Sequence, residues 1–130
     1  MSTLNGAMRV SATGLNAERM RMDVISGNIA NANSMRTRTE DAYRRRMVVL
    51  ETDGDGVKIR QIMEDPTPLR AVADPDHPLA DAQGYVYYSN VNPVAEMVNL
   101  LSANRAYEAN VAAFNSAKGM VRAALNIGRM

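Results

Sequence analysis

The sequence predicts a mainly α protein: two long helices, N- and C-terminal, able to pair with each other or with copies of themselves, and a small β-hairpin and extended arm between them. Three observations lead there. Near the N-terminus, Leu4, Met8, Ser11, Leu15, Glu18, Met22, Ile25 and Ile29 recur in alternating steps of four and three. Near the C-terminus, Leu100, Ala103, Tyr107, Asn110, Phe114, Ala117, Val121 and Ala124 repeat the same rhythm. Residues so spaced share one helix face and drift slowly enough to form a seam. Between the stripes the helical period disappears, and Gly, Pro and β-prone residues take over.

The first helix is expected from Ser2 or Thr3 to Asn33, roughly 45 Å at ~1.5 Å per residue. Asn28-Ile29-Ala30-Asn31-Ala32-Asn33-Ser34 ends it, because Asn competes for backbone hydrogen bonds and tolerates the left-handed conformation at a helix end. Gly14 and Gly27 each cost this helix about 1 kcal/mol relative to Ala. Such a cost needs compensation, and close approach of another backbone at both positions is the expected one.

The middle segment begins near Met35. Tyr43 to Leu50 and Gly56 to Met63 read as strands, joined at Thr52-Asp53-Gly54-Asp55-Gly56 by a turn in which Gly adopts positive φ cheaply. Asp65-Pro66-Thr67-Pro68 and Asp74-Pro75-Asp76-His77-Pro78 read as extended, turn-forming pieces that cannot continue a central strand. Gly84-Tyr85-Val86-Tyr87-Tyr88 resumes as a short strand.

The second helix opens at Asn92-Pro93, a good N-cap followed by Pro at the first helical position, with Glu96 in the first turn. It is expected to run to Ile127 and stop at Gly128, roughly 50 Å. Asn110 lies on the stripe, where an interhelical hydrogen bond would fix the register. The chain thus divides into a discontinuous stem, residues 1–34 with 92–130, and an arm, residues 35–91.

Composition narrows the function. The 130 residues suit one domain, with ten Met, one Phe and no Trp, a set that favours close helix packing and adaptable interfaces over a thick aromatic core. The net charge of +1 hides an uneven distribution. Residues 1–50 hold eight Arg against four acids, residues 51–81 three basic groups against eight acids, and residues 82–130 four against two. A central acidic belt argues against a nucleic-acid-binding protein, whose footprint would have to use Arg36, Arg38 and Arg44–Arg46 on one surface. In a strand, consecutive Arg44, Arg45 and Arg46 alternate faces and cannot form one stripe. A solvated edge strand, or contact between Arg44 or Arg45 and the acidic belt of another subunit at Asp74 and Asp76, explains them better.

Little catalytic chemistry is legible. Cysteine is absent, which excludes disulfides and thiolate metal sites. His77 stands between prolines in a turn, without ligands at a recognisable spacing. Asp53, Asp55 and Glu64 match three positions of a calcium loop, but Lys58 occupies the position that requires Gly. No nucleophile–base pair or phosphate loop stands out, so the chain is expected to be no enzyme and to need no cofactor or metal. No cleavable signal and no stretch of ~20 apolar residues is visible, so no direct membrane insertion is expected.

Several motifs carry a family resemblance. Val24-Ile25-Ser26-Gly27-Asn28-Ile29-Ala30-Asn31-Ala32-Asn33-Ser34 resembles the N-terminal signature of bacterial flagellar axial proteins, with Asn28, Ile29, Ala30, Asn31 and Asn33 at its heart. Tyr43-Arg44-Arg45, Asp74-Pro75-Asp76-His77-Pro78, Gly84-Tyr85-Val86 and Asn90-Val91-Asn92 resemble the short, C-type subunit of the proximal rod. So do Glu96-Met97 and Ala103-Asn104-Arg105-Ala106-Tyr107-Glu108-Ala109-Asn110-Val111. The resemblance implies a structural subunit of the shaft that links the inner-membrane ring of the flagellar basal body to the distal rod and hook. It implies as partners copies of the chain, adjacent proximal and distal rod subunits, the inner-membrane-ring adaptor and the flagellar type III export apparatus, which passes such chains uncleaved. The terminal helices would then pair as an antiparallel coiled coil lining the axial channel, packed through Leu4, Met8, Leu15, Met22, Ile25, Ile29, Leu100, Tyr107, Asn110, Phe114 and Val121.

Overall fold

The computed structural model describes residues 2–129. Its elements run α1 (Ser2–Ala30), β1 (Arg46–Asp53), β2 (Gly56–Glu64), β3 (Arg70–Ala73), β4 (Tyr85–Tyr88) and α2 (Pro93–Gly128).

The two helices lie side by side and antiparallel. Asn28 of α1 meets Glu96 of α2, and Gly14 meets Asn110. Fourteen residues down one helix therefore correspond to fourteen residues up the other. The seam is close because small residues fill it: Ala17, Ala103 and Ala117 are buried beside Ile25 and Ser11. Leu4, Met8, Leu15, Met22 and Ile29 on α1 are half-buried, as are Leu100, Tyr107, Asn110, Phe114 and Val121 on α2. Ala124 is exposed, since at this register it lies beyond the start of α1.

At Gly14 the structure corrects the expectation of a neighbouring backbone. A Cβ there would stand 2.9–3.1 Å from the Asn110 amide group, so the missing side chain makes room for Asn110. Among the described residues Asn110 makes no interhelical hydrogen bond; it fits the notch at Gly14, and the interhelical amide bond is made by Asn28 to Glu96 instead. At Gly27 the nearest group is the Tyr43 hydroxyl, 3.8 Å from an added Cβ, which is ordinary contact.

Helix α1 stops at Ala30, three residues early. Asn31 folds back on the last turn, its backbone N–H and its side-chain Nδ2 both donating to the Gly27 carbonyl, at 3.2 and 2.8 Å. At the other end of the arm, Asn92 caps α2 as expected, its Oδ1 accepting from the Val94 and Ala95 N–H groups.

β1 and β2 form an antiparallel hairpin with Asp53 opposite Gly56, and the turn places Gly54 at φ +62°. Such a glycine at the first turn position fits the right-handed twist of paired strands. The ladder slips between Val49 and Leu50, where Arg60 is the extra residue on β2. The hairpin lies along α1 rather than standing off it. Gly56 sits against Thr13, whose Oγ1 accepts from the Val57 N–H at 3.3 Å.

The second sheet was only half legible. β4 was expected, but β3 lies between the two proline clusters, and it pairs Arg70–Ala73 with Tyr85–Tyr88. Met35 bridges to the other side of Tyr88, and the Arg36 N–H donates to the Tyr87 carbonyl. Arg36 and Arg70 stack over Tyr87 and Tyr88, at 4.6 and 4.8 Å from the ring centres. A small core of Ala32, Ala42, Leu69, Val86 and Val91 closes this junction at the head of the stem.

Candidate assembly site

The chain's most ordered polar chemistry lies where the stem meets the arm. Asn28, on the last turn of α1, is wholly buried. Its Oδ1 accepts from the Arg46 N–H at 2.9 Å and its Nδ2 donates to the Arg46 carbonyl at 2.9 Å. The side chain thus pairs with β1 as a neighbouring strand would. The same Oδ1 accepts from the Tyr43 hydroxyl at 2.8 Å, and Nδ2 also donates to Glu96 Oε2 at 3.1 Å. Glu96, 1% exposed in the first turn of α2, accepts from Arg45 Nε through its other oxygen. Arg45 then reaches Asp65 at 3.2 Å. Asn90 completes the knot: Oδ1 accepts the Arg45 N–H at 2.7 Å, and Nδ2 donates to the Asp65 and Thr67 carbonyls.

Each charge here is compensated. Burial opposes the Arg45 cation, but the hydrogen bond and field of Glu96, with those of Asp65, outweigh it and hold its pKa above the ordinary value. The Thr67 backbone N–H and hydroxyl, with Arg45, hold Asp65 below the usual carboxylate range. Burial, reinforced by the nearby Glu96 charge, pushes the Tyr43 phenol up. Among the described residues, no buried side-chain polar atom lacks a partner. A network so satisfied rigidifies a junction.

The motif residues meet here. Asn28, Tyr43, Arg45, Asn90 and Glu96, scattered over the sequence, converge in one knot. The role of Glu96 was missed from the sequence, where its place in a helix first turn suggested only a favourable dipole. The signal that could have found it was its company: a Glu inside a motif shared with Arg45 and Asn28.

The other singled-out residues separate. Arg44 donates to the Thr67 carbonyl and pairs with Asp41 at 3.5 Å, and Arg46 stacks over Tyr43. Asp76 is exposed and Asp74 half-buried, neither with an ion pair among the described residues. Ala30 and Asn33 are exposed. His77 Nδ1 accepts from the Leu79 N–H at 3.0 Å and closes its turn. Asp53 and Glu64 stand at opposite ends of the hairpin and share no site. Among the described residues, no group of three His, Asp or Glu could hold a metal, and no helix is long and apolar enough to cross a membrane.

A slender paired-helix stem, clamped to its arm by a saturated polar knot, defines a structural subunit that works by packing. The comparisons with known proteins agree. Residues 8–34 match the family profile described as flagella basal body rod protein, and residues 82–127 match the C-terminal profile of flagellar basal body rod FlgEFG proteins. The flagellar basal-body rod protein FlgC of Bacillus subtilis is 41% identical, aligned over 95% of this chain and 97% of its own length. That of Borreliella burgdorferi is 40% identical over the same shares, and that of Salmonella typhimurium 37% over 92% and 94%. The chain belongs to the FlgC family of flagellar basal-body rod proteins. It is a structural subunit of the proximal rod, located in the flagellar basal body and assembled with other rod components, and it is not an enzyme.

Proposed function

We propose that the chain is a segment of the axial drive shaft, transmitting torque from the inner-membrane ring to the distal rod and hook across the periplasm. Its stem, residues 1–34 with 92–130, packs as an antiparallel coiled coil around the channel, and its arm, residues 35–91, packs outward. The two-heptad spacing between the Asn28–Glu96 and Gly14–Asn110 contacts supports a coiled-coil register. Its neighbours are copies of itself, adjacent proximal and distal rod subunits and the inner-membrane-ring adaptor. The flagellar type III apparatus exports it uncleaved. Asp74 and Asp76, with Arg44 and the outer part of Arg45, meet charges on those neighbours.

One observation carries this reading: the chain does not complete its own core. Its largest wholly buried side chains are Glu96, Val86, Asn28 and Ser89, none of them a large apolar group. Its accessible surface is 8694 Å², against about 6,800 Å² for a compact monomer of its 14.2 kDa mass. Surface of that excess is what neighbouring subunits would cover.

Charges placed in the stripes test it. Leu15→Asp or Ile25→Asp on α1, and Phe114→Asp or Val121→Asp on α2, put an unpaired carboxylate into the seam at a cost of several kcal/mol. The expected result is protein made and exported but absent from rods, with motility lost. Normal swimming in all four variants would rule out stripe packing as the basis of assembly.

A further inference from the structure

Helix α2 has a second apolar face. Val94, Met97, Val98 and Leu101 recur at helical spacing on the side opposite the seam residues Glu96, Leu100 and Ala103, since successive residues turn by about 100°. None of the described residues covers them: Val94 is 71% exposed and Leu101 60%. Farther along, the same face carries Arg105 and Glu108, then the small residues Ala112, Gly119 and Ala123, all exposed. A helix apolar on opposite faces belongs between two bodies, and α1 is only one of them.

α1 offers a matching surface. The hairpin and α2 cover two of its sides, leaving one free arc that includes Asn16, Arg19, Asp23, Ser26 and Ala30. Among the described residues Arg19 and Asp23 have no ion pair, and neither do Arg105 and Glu108. Run antiparallel, the two faces place Arg105 against Asp23 and Glu108 against Arg19. The same register sets the bulky Leu101 and Met97 opposite the small Ser26 and Ala30. Charge and side-chain size therefore agree on one alignment.

We propose that the outward face of α2, centred on Leu101, docks on the outward arc of α1, centred on Asp23, in a second copy of this chain. This rests on the reading of the chain as a shaft subunit and names one lateral contact of that shaft. The two surfaces differ, so the contact is heterologous: every copy presents both halves, and the contact repeats from copy to copy. The intrachain pairing aligns residue 28 with 96, whereas this contact aligns 23 with 105. Each copy is thus displaced by three to four residues, an axial step of about 5 Å, and the series climbs as a helix rather than closing as a flat ring.

The chain has no cysteine, so engineered pairs report without background. Leu101→Cys and Ser26→Cys are placed in two differently tagged copies, expressed together, and basal bodies are purified after mild oxidation. The expected product is a disulfide joining one tag to the other, because Cα atoms facing each other across helices packed about 8–10 Å apart come within the roughly 4.4–6.8 Å that a disulfide spans. Neither variant alone forms it. Swapping the charges on α2, Arg105→Glu with Glu108→Arg, lowers the yield about fivefold or more, and adding Arg19→Asp with Asp23→Arg restores it. All four charged positions are exposed, so these variants fold as the parent does. Crosslinking of Leu101→Cys to itself, or to a different rod protein alone, overturns the proposal, as does no crosslink in basal bodies that contain both copies. Absence of the chain from purified basal bodies is a different failure: it removes the shaft reading, and the contact with it.

Discussion

Asn28 of α1 donates to Glu96 of α2 at 3.1 Å, and neither side chain reaches solvent. The bond joins residues 68 apart in sequence, at the point where the last turn of one helix meets the first turn of the other. Because Asn28 also pairs with both backbone groups of Arg46, one amide holds three segments of chain together. The direction of the arm relative to the stem depends on it.

Removing either partner is expected to be costly. Asn28→Ala leaves the Arg46 backbone groups and the Tyr43 hydroxyl unpaired, at about 2–4 kcal/mol. Glu96→Gln offers one acceptor to two donors, Arg45 Nε and Asn28 Nδ2, and costs about 1–3 kcal/mol, moderated because Arg45 keeps Asp65 and stays partly solvated. Thermal unfolding followed by circular dichroism should drop by roughly 5–10 °C in each, while exposed Lys118→Ala stays within about 2 °C. Equal midpoints for all three variants would mean that the knot contributes nothing net.

Glycines in the helices should respond in opposite directions. An added Cβ at Gly6 meets nothing within 4 Å, so Gly6→Ala should stabilise α1 by about 0.5–1 kcal/mol. Gly14 is the notch for Asn110, so Gly14→Leu should push that side chain out and open the seam, costing about 1–3 kcal/mol. Asn110→Gly in the same chain should recover part of the loss, and a double-mutant cycle measures the coupling. Strict additivity would show that the two positions do not share the space.

Acid should loosen the arm before the stem. The Tyr85 backbone N–H, with the Tyr87 hydroxyl, holds Asp81 below the usual range, and the Thr67 N–H does the same for Asp65. A carboxylate with a depressed folded pKa contributes stability that is complete above its unfolded value and lost as pH falls through the folded one. The loss therefore lies below about pH 4. At the alkaline end burial raises the Tyr43 pKa, so its contribution holds below about pH 10 and fades as pH climbs through the raised value. With no Trp and four of the five Tyr in the arm, tyrosine emission reports the transition. An emission change centred between about pH 5 and 7 would contradict this account.

Legibility followed the range of the interactions. Both helices, the cap at Asn92 and the turn at Gly54 were readable because periodicity, capping and positive φ are local properties. The sequence puts the start of β1 three residues early because Tyr43, Arg44 and Arg45 look β-prone, yet their side chains and backbone are taken by Asn28, Ser34, Thr67, Asn90, Glu96 and Asp65. β3 escaped notice because four residues between proline clusters gain strand character only from a partner at Tyr85–Tyr88.

The sequence by itself determined the two helical stripes, the acidic belt, the lack of catalytic groupings and, through its motifs, the rod family. Only the tertiary structure decided that Gly14 exists for Asn110, that Glu96 is a buried clamp rather than a helix-end charge, and that the far side of α2 is left bare. The physical reason is common to all three. A side chain's burial and partners depend on which distant segment lies against it, and spacing within one helix is silent about the other.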